Sequence, residues 1–134
     1  MKERTFVMIK PDGVKQGATD KIVSRIKRAG LHIVSMRQID IDRATAERLY
    51  AVHRGKEFFE RLVEHVLSGP VVVMLVEGNQ AIVKMRELIG ATDPAKAAPG
   101  TIRHEFGTSI TQNVIHAADS PESAKYEAPL FFSK

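Results

Sequence analysis

The spacing of apolar positions changes several times along the chain. Thr5 to Ile9 is a β-branched and aromatic run halted by Lys10-Pro11-Asp12-Gly13, which predicts a first strand leaving through a polar turn. Across Lys21 to Ala29 the apolar residues Ile22, Val23, Ile26 and Ala29 keep helical spacing, with Thr19 or Asp20 as N-cap and Gly30 as the stop. Leu31 to Ile41 reads as a second strand, after which Asp42 caps a helix carrying Ala46, Leu49 and Tyr50. Phe58, Leu62, Val63, Val66 and Leu67 predict another helix, ended by Ser68-Gly69-Pro70. Val71 to Val76 is apolar at every position, as expected for a strand with helices on one face and a further layer on the other. A second subunit is a candidate for that layer. Asn79 is expected to cap a helix that turns Ile82, Val83, Leu88 and Ile89 inward and closes at Gly90.

From Ala91 to Gln112 no period survives, and a compact domain rarely carries so long an irregular stretch without a functional reason. A binding loop is expected there. Val114-Ile115-His116 forms a short strand, and Ser120 with Pro121 at the first helical position starts a last helix to about Glu127. The resulting order is β-α-β-α-β-α-loop-β-α. It predicts an α/β (α+β sandwich) fold of the ferredoxin-like split βαβ type, with a four-stranded antiparallel sheet covered by helices. No repeat or linker divides the sequence, so residues 1–134 are expected to form a single domain.

Composition narrows the chemistry. The chain has no cysteine, which excludes thiolate metal sites, disulfides and a cysteine nucleophile. Its longest apolar run, Val71 to Val76, is far short of the ~18 residues of a membrane span, and no signal-peptide pattern opens the sequence. Cytoplasmic residence without membrane attachment is expected. The 20 Lys+Arg exceed the 16 Asp+Glu but are interspersed with them, so the basic excess permits a phosphorylated ligand without requiring one.

Neither G-x-x-x-x-G-K-[ST] nor G-x-G-x-x-G occurs, which argues against P-loop and Rossmann sites. No two histidines stand at i,i+3 or i,i+4, so zinc has no support either. His32, His53, His65 and His104 read as surface or packing residues. His116 differs: it ends a short apolar strand just before a helix start, beside the small Ala117 and Ala118. A rigid, accessible imidazole of that kind suits a nucleophile. Lys10 follows the first strand, Arg86 lies on the helix after the apolar strand, and Thr92 and Arg103 bound the long loop. Singly, each cation reads as surface charge; converging on His116, they would suit a polyphosphate and its in-line transfer.

At these residues the chain resembles the nucleoside diphosphate kinase family over essentially its full length. The matching pieces are Arg4-Thr5-Phe6, Ile9-Lys10-Pro11-Asp12-Gly13-Val14, Phe58-Phe59, Ser68-Gly69-Pro70-Val71-Val72, Gly90-Ala91-Thr92-Asp93-Pro94, Pro99-Gly100-Thr101-Ile102-Arg103 and Asn113-x-x-His116-x-x-Asp119-Ser120. The resemblance implies phosphoryl transfer from nucleoside triphosphates to nucleoside diphosphates through a phosphohistidine, which maintains nucleoside triphosphate pools. It makes His116 the nucleophile through Nδ1 and Glu127 the carboxylate that orients the ring. It assigns Lys10, Tyr50, Arg86, Thr92, Arg103 and Asn113 to the phosphates and ribose hydroxyls, with Lys10 also catalytic, and Phe58 to base stacking. The long loop becomes nucleotide-binding, Mg²⁺ is bound mainly through the nucleotide phosphates, and a homo-oligomer follows, hexamer favoured and tetramer possible. Stacking that ignores base edges predicts broad base tolerance.

The sequence departs from the family pattern at three places. His116-Ala117-Ala118 stands where the family commonly has His-Gly-Ser, removing a hydroxyl that would bond Glu127. Asp20 replaces a frequent Gly, and the sequence stops at Lys134, where family tails often run on to neighbouring subunits. The missing serine predicts reduced activity, and it leaves room for an inactive assembly subunit. A ferredoxin-like nucleic-acid binder is the alternative from another class, but the exposed aromatic pattern it needs is missing.

Overall fold

The computed structural model describes residues 2–110 and 112–132. Met1, Thr111, Ser133 and Lys134 lie outside them, and with them the expectations attached to the start and end of the sequence and to one position of the long loop. Strands β1 (Lys2–Ile9), β2 (His32–Ile39), β3 (Val71–Asn79) and β4 (Ile115–Ala117) form one sheet in the order β2-β3-β1-β4. Every pairing is antiparallel, in agreement with the expected ferredoxin-like plan. The helices are α1 (Pro11–Lys15), α2 (Thr19–Arg28), α3 (Arg43–Leu49), α4 (Phe59–Leu67), α5 (Ala81–Ile89), α6 (Ile102–Phe106) and α7 (Pro121–Glu127).

Alternation along the central strands sends side chains into two cores. On one face Val7, Ile9, Val72, Met74 and Val76 pack against Ile22 and Ile26 of α2 and Ala81, Met85 and Ile89 of α5. On the other, Phe6, Met8, Val71 and Val73 meet Ala46 and Leu49 of α3, Val63 and Val66 of α4, and Phe131. The all-apolar β3 is therefore covered on both faces by its own chain. That overturns the expectation that a second subunit supplies the missing layer, and it removes β3 as an argument for assembly.

Local signals were obeyed where the cap lies next to its helix. Asp42 accepts from the Thr45 N–H at 2.7 Å, Ser120 from the Ser123 N–H at 3.1 Å, and Gly30 and Gly90 adopt φ of 85° and 88° at helix ends. Other expectations need correction. Lys10 to Gly13 is no simple turn, because Pro11 occupies the first turn of α1. Thr19 and Asp20 fall inside α2, whose N-cap is Ala18. Asn79 is the last residue of β3, paired with Lys2, and does not cap α5. Gln80 makes the turn at φ 54°, and the Glu3 carboxylate, from β1, accepts from the Ile82 N–H at 3.0 Å. A distant carboxylate thus takes the place of the local cap. Val83 points outward, 54% exposed, while Met85 takes the inner face. The stretch from Ala91 to Gln112 contains α6, capped by the Thr101 hydroxyl, and β4 begins one residue later than expected.

Candidate active site

A cleft of about 840 Å³ opens beside β4, between the turn after α3, the start of α4, α5, the long loop and α7. Its lining includes Lys10, Tyr50, Phe58, Arg86, Thr92, Arg103, Asn113, His116 and Glu127, so every candidate site residue converges there. At its floor His116 pairs with Met8 across the sheet. Its ring stands 5.9 Å from Phe6 and edge-on, 6.1 Å, to Tyr50. Nε2 lies 2.7 Å from Glu127 Oε1. An ionised carboxylate can only accept, so this contact puts the proton on Nε2 and the lone pair on Nδ1. Glu127 is 8% exposed and held on the last turn of α7. It reaches the ring although Ala118 offers no hydroxyl.

The cations are placed by the backbone around His116. Arg103 donates from Nη2 to the Ile115 carbonyl at 2.7 Å and from Nη1 to the Gly90 carbonyl at 3.3 Å. Arg86 donates to the Ala117 carbonyl at 3.0 Å. The two guanidinium groups thus grip the residues on either side of His116. Gly90 makes the geometry possible, because a Cβ there would lie 2.6 Å from the Thr101 hydroxyl and push α6, with Arg103, away from α5. Lys10 Nζ donates to Asn113 Oδ1 at 2.9 Å. The Asn113 amide in turn donates to the Thr92 and Ile110 carbonyls at 3.0 and 2.8 Å, tying both ends of the long loop to the floor.

These charges are held against their solvation preference. Burial, assisted by Arg103 and opposed by Asp12, pulls the Lys10 ammonium down to about 8. Burial and then Arg86 pull the Arg103 guanidinium down to about 10, with Tyr50 opposing. Burial and the Glu127 carboxylate push the Tyr50 phenol up, so it stays a hydrogen-bond donor. Its buried hydroxyl has no protein partner among the described residues, and neither has Arg103 Nε. A cleft with clustered desolvated cations and an orphaned hydroxyl is built for a polyanion.

Lys10 yields a prediction with two opposite signs. A polyphosphate needs the protonated amine, so its affinity is expected to fall as pH rises through about 8. Folding shows the reverse for this group. Its folded pKa lies below the ordinary lysine value of 10.5, so its burial penalises the fold below about 8, and the penalty fades as pH climbs from there toward 10.5. Calorimetric titration of a nucleoside triphosphate either side of that value, beside thermal unfolding of the free protein, reads both. A pH-independent affinity would remove Lys10 from the binding account.

Several cleft residues escaped the sequence reading. His53 stands 5.1 Å from the Phe58 ring and lines the cleft, where burial and Lys56 hold its imidazole low. Outside that lining, Lys56 Nζ lies 5.7 Å from the Phe58 centroid. Leu62, read as core, and Ile110, in the aperiodic loop, add apolar wall beside Phe58. None carries a local signal; each becomes visible only when α4 and the loop meet.

Comparison with known proteins agrees in family and fold. The family model described as nucleoside diphosphate kinase matches residues 3–134. A nucleoside diphosphate kinase from Ignicoccus hospitalis is 58% identical, covering 97% of this chain and 88% of its own length. One from Archaeoglobus fulgidus is 56% identical, covering 98% and 87%. Among solved structures, the Aquifex aeolicus nucleoside diphosphate kinase superposes with a TM-score of 0.96 at 44% identity, over 99% of this chain and 96% of that one. The Halobacterium salinarum nucleoside diphosphate kinase, solved in complex with CDP, gives 0.97 at 43% identity, over 100% and 90%.

Proposed function

Because the chain belongs to the nucleoside diphosphate kinase family, we propose that it transfers the γ-phosphoryl group of a nucleoside triphosphate to a nucleoside diphosphate through a phosphohistidine at His116. The observation that carries this reading is the Glu127 contact to Nε2, which leaves the Nδ1 lone pair as the attacking atom. In the first displacement Nδ1 bonds the γ-phosphorus while its bond to the bridging oxygen breaks, and the diphosphate departs with that electron pair. In the second, a terminal oxygen of the incoming diphosphate bonds the phosphorus and the N–P electron pair returns to Nδ1. No proton has to leave the imidazole in either step, so catalysis falls to positioning and charge compensation.

Lys10, Arg86 and Arg103 balance the charge spread over the transferring phosphoryl group. Tyr50, Thr92 and Asn113 join them on the phosphates and ribose hydroxyls, and Phe58 offers its ring to the base. Among the described residues no group of three or more His, Cys, Asp or Glu is placed to hold a metal ion. Mg²⁺ in this reading is bound mainly through the nucleotide phosphates and arrives with the substrate. Residues 1–134 act as one catalytic domain. No helix among the described residues is long and apolar enough to cross a membrane, and intracellular nucleotides as substrates support a cytoplasmic address. Self-association fits the edge strand β2, whose Met36 is 48% exposed and whose outer hydrogen-bonding edge pairs with no other strand among the described residues; the preference for a hexamer over a tetramer rests on the family resemblance alone.

Incubation with γ-labelled ATP and Mg²⁺ tests the reading. The protein is expected to take up label that is acid-labile and alkali-stable and that passes to any added nucleoside diphosphate. No labelled protein would sink it.

Ala118 sets a second expectation. Its side chain packs with Ile82 and with Ala124, one turn before Glu127 on α7. Ala118→Ser introduces a hydroxyl beside that helix, and a second hydrogen bond to Glu127 of ~0.5–1.5 kcal/mol raises kcat by up to about tenfold. An unchanged or lower rate in steady-state assays would mean that the ring contact alone fixes Glu127.

A further inference from the structure

We infer that Asp12 is a positioning residue for phosphoryl transfer, pinning a strained turn from which the His116 strand starts; the inference rests on His116 being the nucleophile. Val114, two residues before His116, has φ of 66° and is fully buried. A β-branched residue in that region is a backbone outlier. The Asn113 carbonyl accepts from the Ile115 N–H at 2.9 Å across it, closing a γ-turn of the rare positive-φ kind. Such strain persists only where the surroundings over-determine it.

Here they do so from both sides. The Val114 N–H donates to Asp12 Oδ2 at 3.1 Å, and its carbonyl accepts from the Lys10 N–H at 2.7 Å. The second oxygen of Asp12 accepts from His65 Nε2 at 2.8 Å, so α4 orients the carboxylate. Gly13 allows the approach, because a Cβ there would lie 2.9 Å from the Val114 carbonyl oxygen. Asp12 and His65 stand outside the cleft lining and act through the turn, while the Asp12 charge also supports the protonated form of Lys10. What the turn divides is the site itself, with Asn113 and its Lys10 bond on one side and His116 on the other. Relaxed to negative φ, Val114 would reorient its peptide and shift His116 against Glu127 and the two arginines. A displacement of ~1 Å at a reacting group costs about a hundredfold in rate.

The test is single-turnover labelling of His116 from γ-labelled ATP with Mg²⁺, alongside nucleotide affinity and thermal unfolding. Asp12→Ala is expected to slow labelling at saturating nucleotide by about ten- to a hundredfold, the strain expressed as rate, with affinity within about threefold of Asp12→Asn, which lacks the same charge beside Lys10. Asp12→Asn keeps an oxygen for the Val114 N–H and is expected to retain most of the rate. Adding Val114→Gly to Asp12→Ala removes the strain, because glycine accepts positive φ, and is expected to recover part of the loss. Equal rates for wild type and Asp12→Ala, or for the Ala and Asn variants, would overturn the inference. So would a double variant no faster than Asp12→Ala. Should Asp12→Ala not fold, His65→Gln against His65→Phe makes the same comparison: only glutamine can donate to Asp12, and equal rates for the pair overturn the role. A wild-type protein that takes no label is a different failure, that of the phosphohistidine reading itself.

Discussion

Replacing His116 with alanine is expected to eliminate the acid-labile label and to lower turnover by roughly 10⁴- to 10⁶-fold, the scale on which loss of a nucleophile acts. Binding should survive. The groups proposed to hold the nucleotide are fixed without the ring: Arg103 by the Ile115 and Gly90 carbonyls, Arg86 by the Ala117 carbonyl, Lys10 by Asn113. Truncation takes a part-exposed ring off Phe6 and Tyr50, a modest packing loss at a cleft floor. Nucleotide affinity by calorimetry within a few-fold of wild type, with no turnover, separates the covalent role from a structural one. Glu127→Gln should act differently. Its amide oxygen can still accept from Nε2, so the ring keeps its tautomer while losing the charge that stabilises it, and part of the rate remains. Undiminished turnover in the alanine variant would dismiss His116 as the carrier.

The parts of this site that the sequence disclosed are those whose causes are local or whose pattern was already familiar. Asp42 and Ser120 lie beside the N–H groups they cap, and Gly30 and Gly90 lie at the helix ends they close, so a window of a few residues suffices. Convergence is another matter. Lys10 and Asn113 are 103 positions apart, and Asp12 and His65 are 53 apart. No periodicity reports such meetings, so the assembly of Lys10, Arg86, Arg103 and His116 was accessible only through the family resemblance. Three failures have two physical reasons. α6 is too short for a period to register. Asn79 lost its capping role to Glu3 from the neighbouring strand, and Val114 adopts a conformation its own side chain disfavours; in both, tertiary contacts override the preference of the local segment. His65 read as an ordinary helix residue for the same cause, since its partner lies on another element.

Arg103 is expected to be the most costly of the three cations to alter, because structure and charge coincide in it. It is 5% exposed and bridges the Gly90 and Ile115 carbonyls, joining the end of α5 to the strand that carries His116. Arg103→Lys keeps a positive charge, but a single ammonium cannot span two carbonyls and still face a phosphate. Turnover is expected to fall by about 10²–10³-fold, as when a preorganised donor to transition-state charge is withdrawn. Arg103→Ala should add a loss of stability of about 1–3 kcal/mol, the cost of leaving a buried carbonyl unpaired, visible as a lower unfolding midpoint in denaturant. Arg86→Ala is the control: it frees one carbonyl, Ala117, and removes a half-buried cation, so a smaller stability change is expected. If Arg103→Lys turned over at the wild-type rate, a point charge would suffice at this position. The bidentate grip would then serve folding alone, and the charge compensation assigned to Arg103 would not depend on how its guanidinium is aimed.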